Sequence, residues 1–270
     1  MTKLKFSSFL IVFLFCQLGI YAQPGWAYKI EGNLNKIDST QIKKCIENKN
    51  SCYFGTIILD ATTDLSRLNQ LNATSHLSLD IRMSLLPKEF SKLNLSKVVK
   101  LSLSCTQLED FSNFPIMNNL EILRLSGFQG DTLSIKKKLP NLKSLEILYA
   151  NNLTHINNII NIDLEELSIR DCKKLRLNQI SFSNLKALHF YNNQEIKLAL
   201  SDLISFQKLE IVSLKQVHFE SIPEGFPKSL KKISISDSRT NLIALNKLSA
   251  LENMEELYLT NIELVWKKQQ

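Results

Sequence analysis

One pattern of aliphatic residues recurs through most of this 270-residue chain. The pattern is Leu-x-x-Leu-x-Leu, where Leu, Ile, Val, Met or Phe can occupy each Leu position. Successive occurrences start 22, 25, 19, 21, 24, 21 and 24 residues apart. Repetition at this period predicts a stack of similar units rather than one globular core. The eight starting residues are Val98, Leu120, Leu145, Leu164, Leu185, Leu209, Leu230 and Met254.

The end of each pattern reads as a short strand. Side chains alternate across a strand, so its last two aliphatic residues face the same way. Leu101 with Leu103 and Ile233 with Ile235 are examples. One unit of about 22 residues buries too few apolar side chains to offset the conformational entropy lost on ordering it. The units must therefore stack on one another to fold.

The residues around the pattern also repeat. Leu120-Glu-Ile-Leu123 recurs at 145–148, and an Asn-Leu-Lys sequence occurs at both 141–143 and 184–186. These features resemble the leucine-rich repeat family over roughly residues 54–265. The resemblance implies an α/β solenoid shaped as a horseshoe. Its concave side has parallel strands, and its convex side is mostly irregular, with 3₁₀ turns or short helices. Cys172 and Asn193 occupy a consensus polar position that most other repeats lack.

Residues 1–22 read as an export signal. Lys3 and Lys5 precede an apolar stretch that runs to residue 20, and Ala22 offers a cleavage site before Gln23. Alternatives are an uncleaved anchor or a lipoprotein modified at Cys16. Cleavage would lower the formal charge from +7 to +5 by removing two lysines. No later apolar run is long enough to span a membrane. We expect a secreted, periplasmic or cell-surface protein that resembles exported bacterial proteins.

The mature chain divides into three parts. Residues 23–53 are the expected N-terminal cap, with a short helix over 38–49 and a possible disulfide between Cys45 and Cys52. Residues 54–265 form an array of about nine repeats, and residues 266–270 are a tail. Either Trp266 covers the last repeat, or that edge meets a partner. The protein is therefore expected to be a monomer or an edge-mediated dimer.

Residue patterns typical of catalysis are absent from the sequence. The four histidines do not have metal-ligand spacing, and the chain has neither a phosphate-binding glycine loop nor a serine elbow. We expect no catalytic residues, no metal and no cofactor. Cys105 and Cys172 fall within repeats, as buried small side chains do. The sequence therefore favours a protein that is not an enzyme.

The residues between the inward leucines should form the concave surface. In the middle of the array this surface collects large basic and aromatic side chains, which are favoured at binding hot spots. Ile122, Ile147 and Ile211 are expected to form a neighbouring apolar row. The predicted ligand-binding patch consists of Arg124, Tyr149, Arg170, His189 and Tyr191.

The expected partner is a protein or a peptide. The alternative is a polyanion or a glycan at the cell surface, because the chain is basic. Specific nucleic-acid binding is not expected, since the lysines are scattered in small groups. Binding of a polyanion would weaken steeply with salt, which separates the two possibilities.

Overall fold

The computed structural model describes residues 28–48, 52–73, 76–112, 114–135, 139–157, 163–175, 184–193, 203, 206–217, 227–240 and 251–264. The predicted signal at 1–22 and the tail at 266–270 lie outside the described residues. The side chain of Cys52 also lies outside them.

The dominant element is a parallel sheet of eleven strands. Strands that are neighbours in this sheet follow one another in sequence order, as in a solenoid. Its strands are β1 (Tyr28–Asn33), β2 (Cys52–Asp60), β3 (Leu77–Arg82), β4 (Val98–Ser104), β5 (Ile122–Ser126), β7 (Ser144–Leu148), β9 (Glu166–Arg170), β10 (Ala187–Tyr191), β11 (Ile211–Lys215), β12 (Lys232–Ser236) and β14 (Glu256–Thr260).

The remaining described elements are short and lie between these strands. One α-helix, α1, spans Ser39–Glu47, and 3₁₀ helices span Leu34–Lys36, Leu65–Ala73 and Lys88–Lys92. Two small parallel sheets pair β6 (Thr132–Ser134) with β8 (His155–Asn157) and β13 (Arg239–Thr240) with β15 (Glu263–Leu264). The fold is thus an α/β solenoid of the leucine-rich-repeat horseshoe class, with short connections behind one parallel sheet. No described helix has the length and hydrophobicity needed to cross a membrane.

The aliphatic pattern forms the core. From β2 to β12, each strand directs two side chains inward at alternating positions, and these are at most 4% exposed. Leu123 and Leu125 of β5 are examples, at 0% and 1%. Alternation with outward polar residues is the pattern of a sheet that is buried on one face only.

The sequence register assigned to the third occurrence of the repeat pattern, on β7, is wrong. Its inward residues are Leu145 and Ile147, which pair with Leu123 and Leu125 and are fully buried. The pattern therefore starts at Leu142 rather than Leu145. With this start the intervals become 22, 22, 22, 21, 24, 21 and 24 residues. The identical Leu-Glu-Ile-Leu sequences lie three residues apart in structural register, so their identity does not mark equivalent positions.

The turn after most strands has a left-handed backbone. Tyr149, Asp171, Asn192, Gln216, Asp237 and Asn261 have φ between 49° and 55°. Cys172 and Asn193 directly follow two of these turn residues, and both are fully buried. There the Asn193 side-chain Oδ1 accepts from the Cys172 backbone N–H at 2.8 Å, and its Nδ2 donates to the Ile169 carbonyl at 3.0 Å. The side chain at the consensus polar position of one repeat thus binds the backbone of the preceding repeat.

The N-terminal end of the sheet is well covered. Helix α1 begins after Asp38, whose carboxylate accepts a hydrogen bond from the Thr40 N–H as an N-cap. Strand β1 precedes this helix and was not predicted from the sequence. Ile30 on β1 is 3% exposed and belongs to the same buried cluster as Ile42 and Cys45. Cys45 takes part in a disulfide bond, and its pairing with Cys52 stays a prediction.

Candidate functional site

The outward face of the sheet is concave. A concavity of about 600 Å³ extends over this face from Thr56 on β2 to Tyr191 on β10. One cavity can be lined by seven consecutive strands only if the sheet curves around it. The outward residues of the middle strands thus converge on a common volume, which is where the sequence predicted a binding surface.

Three of the five predicted patch residues lie together on β9 and β10. The Arg170 guanidinium carbon lies 5.1 Å from the centre of the Tyr191 ring, in a cation–π contact. The His189 and Tyr191 rings are almost parallel, with their centres 6.1 Å apart. Arg170, His189 and Tyr191 form what we call the aromatic cluster, and all three side chains remain partly exposed. Mutual contacts hold these side chains in place, which reduces the entropy lost when a ligand binds.

The imidazole of His189 is held in its neutral form. Burial lowers the pKa of His189, and the carboxylate of Glu166, 3.7 Å from its Nε2, partly opposes that effect. Among the described residues, no hydrogen-bond partner contacts the buried Nδ1 of His189. At neutral pH this side chain therefore contributes an uncharged aromatic surface rather than a cation.

Arg124 lies outside the aromatic cluster. It is on β5, two strands from Arg170, and its Nε is 3.3 Å from the carboxylate of Glu146 on β7. Strands in a sheet are about 4.8 Å apart, so the strands that carry the two arginines are about 10 Å apart, and the arginines also lie in different rows. Glu146 fills the intervening position in the same row as Arg124.

Tyr149 is not on the strand face, contrary to the sequence prediction. Strand β7 ends at Leu148, and Tyr149 lies in the following left-handed turn, with φ 55° and an exposed side chain. The misplaced start at Leu145 put Tyr149 where the structure has Glu146. The same error made Ile147 look exposed, whereas it is fully buried; Ile122 is 39% exposed, as expected.

Glu146 and Glu166 are therefore concave residues that the sequence prediction missed. Glu146 would have been found if the pattern had been started at Leu142, because it then falls between two inward residues. Glu166 precedes the inward Leu167 and lies in the same row as Ile122 and Ile211. Both carboxylates lie beside predicted patch residues, so the concave face is more balanced in charge than the sequence reading indicated.

Most basic side chains of the concave face have acidic partners. Arg82 pairs with Asp80 at 2.6 Å, and Lys232 pairs with Glu256 at 2.6 Å. Lys215 contacts Asp237 at 3.6 Å. Within the described part of the chain, Lys100 and Arg170 have no ion-pair partner on this face. The face therefore offers a polar, nearly neutral surface with two unpaired cations.

The Cys172 thiol does not meet the requirements of a nucleophile, and the described residues hold no candidate metal site. Burial raises the pKa of the Cys172 thiol to about 11, so this cysteine is protonated at neutral pH and a poor nucleophile. The described residues contain no group of three or more His, Cys, Asp or Glu side chains placed to hold a metal ion.

Family models and curated proteins give no match from which a function could be transferred. No family model matches the sequence, and no curated protein matches it. The class of the molecule is therefore set by its fold, a parallel-sheet solenoid with a concave polar face.

Proposed function

We propose that this chain is an exported member of the leucine-rich repeat family that binds a protein or peptide through its concave face. The observation that carries the proposal is the aromatic cluster at the end of the concavity. Arginine and tyrosine are enriched at binding hot spots because they combine a large contact area with hydrogen-bonding ends. In this chain the two side chains already contact each other and line one cavity.

The charge distribution favours a protein partner over the alternative polyanion. A phosphate- or sulfate-rich ligand gains affinity from many unpaired cations along one groove. Here Arg82, Arg124, Lys215 and Lys232 each lie beside a carboxylate, which a polyanion would have to displace. These carboxylates would repel a polyanion. A protein surface that carries charges of both signs could bind beside them without this repulsion.

A binding role also fits the chemistry of the face better than catalysis does. The thiol of Cys172 is fully buried behind the sheet. Burial lowers the pKa of His189, and the Glu166 carboxylate lies 3.7 Å from its Nε2. Among the described residues, no hydroxyl is hydrogen-bonded to this imidazole, so a nucleophile–base pair is not assembled there. We therefore propose that the side chains recognise a partner and do not transform it.

The test is a quantitative affinity capture from the native surroundings of the protein. The full chain and its Tyr191→Ala variant are used as baits, and captured proteins are compared by mass spectrometry. We expect at least one protein to be retained by the unchanged chain and reduced about ten-fold or more by Tyr191→Ala, as at hot spots that contribute above about 1.4 kcal/mol. The interaction with that protein is then measured directly at two salt concentrations.

Tyr149→Asn is the matched control. It also removes an exposed tyrosine, but from the turn beside the sheet, and asparagine tolerates the left-handed backbone there. The control should capture the same proteins as the unchanged chain. Equal capture by Tyr191→Ala and the unchanged chain would refute the concave-face proposal. A steep loss of affinity with salt would instead support the polyanion alternative.

A further inference from the structure

A stripe of alternating charge runs along the edge of the sheet where the strands begin. The residue before each strand of the middle and late repeats is glutamate or lysine, in strict alternation. We call this row the edge stripe. Its members, in order, are Glu121, Lys143, Glu165, Lys186, Glu210, Lys231 and Glu255.

The edge stripe is built from pairs. Each glutamate binds the lysine of the next repeat, and the Nζ–Oε distances are 3.0 Å for Lys143 with Glu121, 2.8 Å for Lys186 with Glu165 and 3.4 Å for Lys231 with Glu210. The hydrogen bond and charge of Lys186 lower the pKa of Glu165, as expected for such a pair. Glu255 is the last member of the edge stripe, and within the described residues no lysine lies beside it on a following strand.

The backbone is interrupted at the same place. In earlier repeats the carbonyl of the stripe residue accepts two N–H groups from the next strand; Lys186, for example, accepts from Glu210 and Ile211. The N–H of the left-handed turn residue donates to the next strand, as Asp237 does to Thr260 at 3.0 Å. Strand β14 is the last of the sheet. Within the described residues, the Glu255 carbonyl and the Asn261 N–H have no such partner.

The core is also open at β14. Leu257 and Leu259 occupy the inward positions and are 39% and 42% exposed, whereas the corresponding residues of β12 are at most 2% exposed. Leu264 of β15 is 38% exposed. The described segment 251–264 carries four glutamates and no basic residue. Glu256 and Glu263 pair with Lys232 and Arg239 of the preceding repeat, whereas Glu252 and Glu255 have no ion-pair partner within the described residues. This edge therefore offers apolar contacts, unpaired backbone groups and excess negative charge together.

We infer that the β14 edge is a second binding surface, which receives an extended strand of a partner protein as the next rung of the sheet. The partner strand adds in parallel and takes the form Lys/Arg-x-Φ-x-Φ, where Φ is aliphatic. Its basic residue binds Glu255, and its two Φ side chains cover Leu257 and Leu259. Strand addition to a sheet edge is a general mode of peptide recognition. This inference concerns a different surface from the concave face and does not depend on it.

Charge disfavours a second copy of this chain as the occupant. Two β14 edges would bring the glutamates of both copies together, with no basic residue in either described segment 251–264. The strand at the other end of the sheet, β1, does not have the required pattern. Its Lys29 already pairs with Glu31 at 2.6 Å, and glutamate follows where the first Φ is needed.

A synthetic peptide provides the test. The probe is a fluorescent peptide with the sequence of residues 141–148, which contains one lysine followed by the two aliphatic residues of a rung. Its binding to the full chain is measured by anisotropy. We expect saturable binding, and we expect replacement of the peptide's lysine by glutamate to weaken it about three- to ten-fold, as for loss of an exposed ion pair plus repulsion.

Charge reversal on the protein sharpens the result. Glu255→Lys should weaken the lysine peptide by a similar factor and restore binding of the glutamate peptide. Glu252→Lys, the matched control, makes the same charge change in the same segment but outside the edge stripe, and should leave the preference between peptides unchanged. Equal binding of both peptides by all variants would overturn the inference. So would a concentration-dependent dimer of the full chain in sedimentation that excludes the peptide.

Discussion

The first and last rungs of the sheet have the same architecture but differ in how their inward side chains are covered. On β1, Ile30 is 3% exposed and lies in one buried cluster with the side chains of α1. On β14, Leu257 and Leu259 are about 40% exposed. The N-terminal end also has a disulfide at Cys45 and an N-capped helix. A repeat array has two ends to cover, and the described part of this chain covers only one of them.

This difference shows that burial in a solenoid comes from neighbours rather than from the repeat itself. Leu257 occupies the same position in its strand as Ile233 does in β12, yet Ile233 is 1% exposed. Among the described residues, a further strand lies beside Ile233 in the sheet, whereas none lies on the outer side of Leu257. Stability should therefore be distributed unevenly along the array, and each prediction below compares one end with the other or with the middle.

The largest difference should come from the same truncation in a strand covered on both sides, β3, and in the last described strand, β14. Leu79→Ala on β3 removes a side chain that is 1% exposed, so we expect a loss of about 2–5 kcal/mol of unfolding free energy. Leu257→Ala should cost less than half of that, because much of the side chain is already in water. Urea unfolding of both variants measures the difference. Equal losses would mean that the C-terminal edge is covered in solution.

Reduction should weaken the N-terminal end specifically. Opening the disulfide of Cys45 should lower the unfolding free energy by about 2–4 kcal/mol, because the unfolded chain regains entropy. Thermal unfolding with and without dithiothreitol measures this effect. The Cys45→Ser variant should be about as stable as the reduced unchanged protein, both with and without the reductant. A reductant effect that persists in the variant would contradict the assignment.

Loss of the helix cap should have a smaller effect at the same end. Asp38→Ala removes the side-chain acceptor for the Thr40 N–H, so we expect a lower melting temperature but a smaller change than for Leu79→Ala. Asp38→Asn keeps a capping oxygen and should remain close to the unchanged protein. If both substitutions act alike, the carboxylate charge rather than the cap is responsible.

A substitution of His189, in the middle of the sheet, should change the pH dependence of stability without changing the difference in burial between the two ends. The folded-state pKa of His189 is lowered, so the folded protein binds fewer protons than the unfolded chain as the pH falls below about 6.5. This histidine therefore costs stability progressively on acidification, down to its folded-state pKa. His189→Gln should lose a small part of the acid sensitivity between pH 7 and pH 5. Melting curves across this range test it, and an unchanged pH slope would contradict it.

The strands of the sheet could be predicted from the sequence because the aliphatic residues that form the repeat pattern are also the residues that are buried. Inward positions such as Leu101 and Ile233 were identified by alternation alone. The exception at β7 arose because Leu145 and Leu148 are both leucine, and Leu148 lies on the outward face although it is only 2% exposed. Regular spacing favours Leu142 over Leu145 as the start, because Leu120, Leu142 and Leu164 are each 22 residues apart.

The candidate site was harder to predict because it depends on pairing across strands. Arg124 was recognised as a concave residue, but its partner Glu146 lies on the next strand and follows only from the correct register. Strand β1 was missed because Tyr28–Asn33 lacks the aliphatic pattern. The coverage of Leu257 was likewise beyond the sequence, since it depends on whether another rung follows.

The left-handed residues after the strands have a consequence for how this surface can vary. From Tyr149 to Asn261 the same backbone turn is made by tyrosine, aspartate, asparagine and glutamine, so the turn does not require one particular side chain. These turn residues form a rim beside the concavity, and substitutions among them can change the side chains of this rim without altering the path of the backbone. Glycine or asparagine there would even relieve conformational strain. A protein built this way can acquire new rim contacts by single substitutions while its framework stays the same.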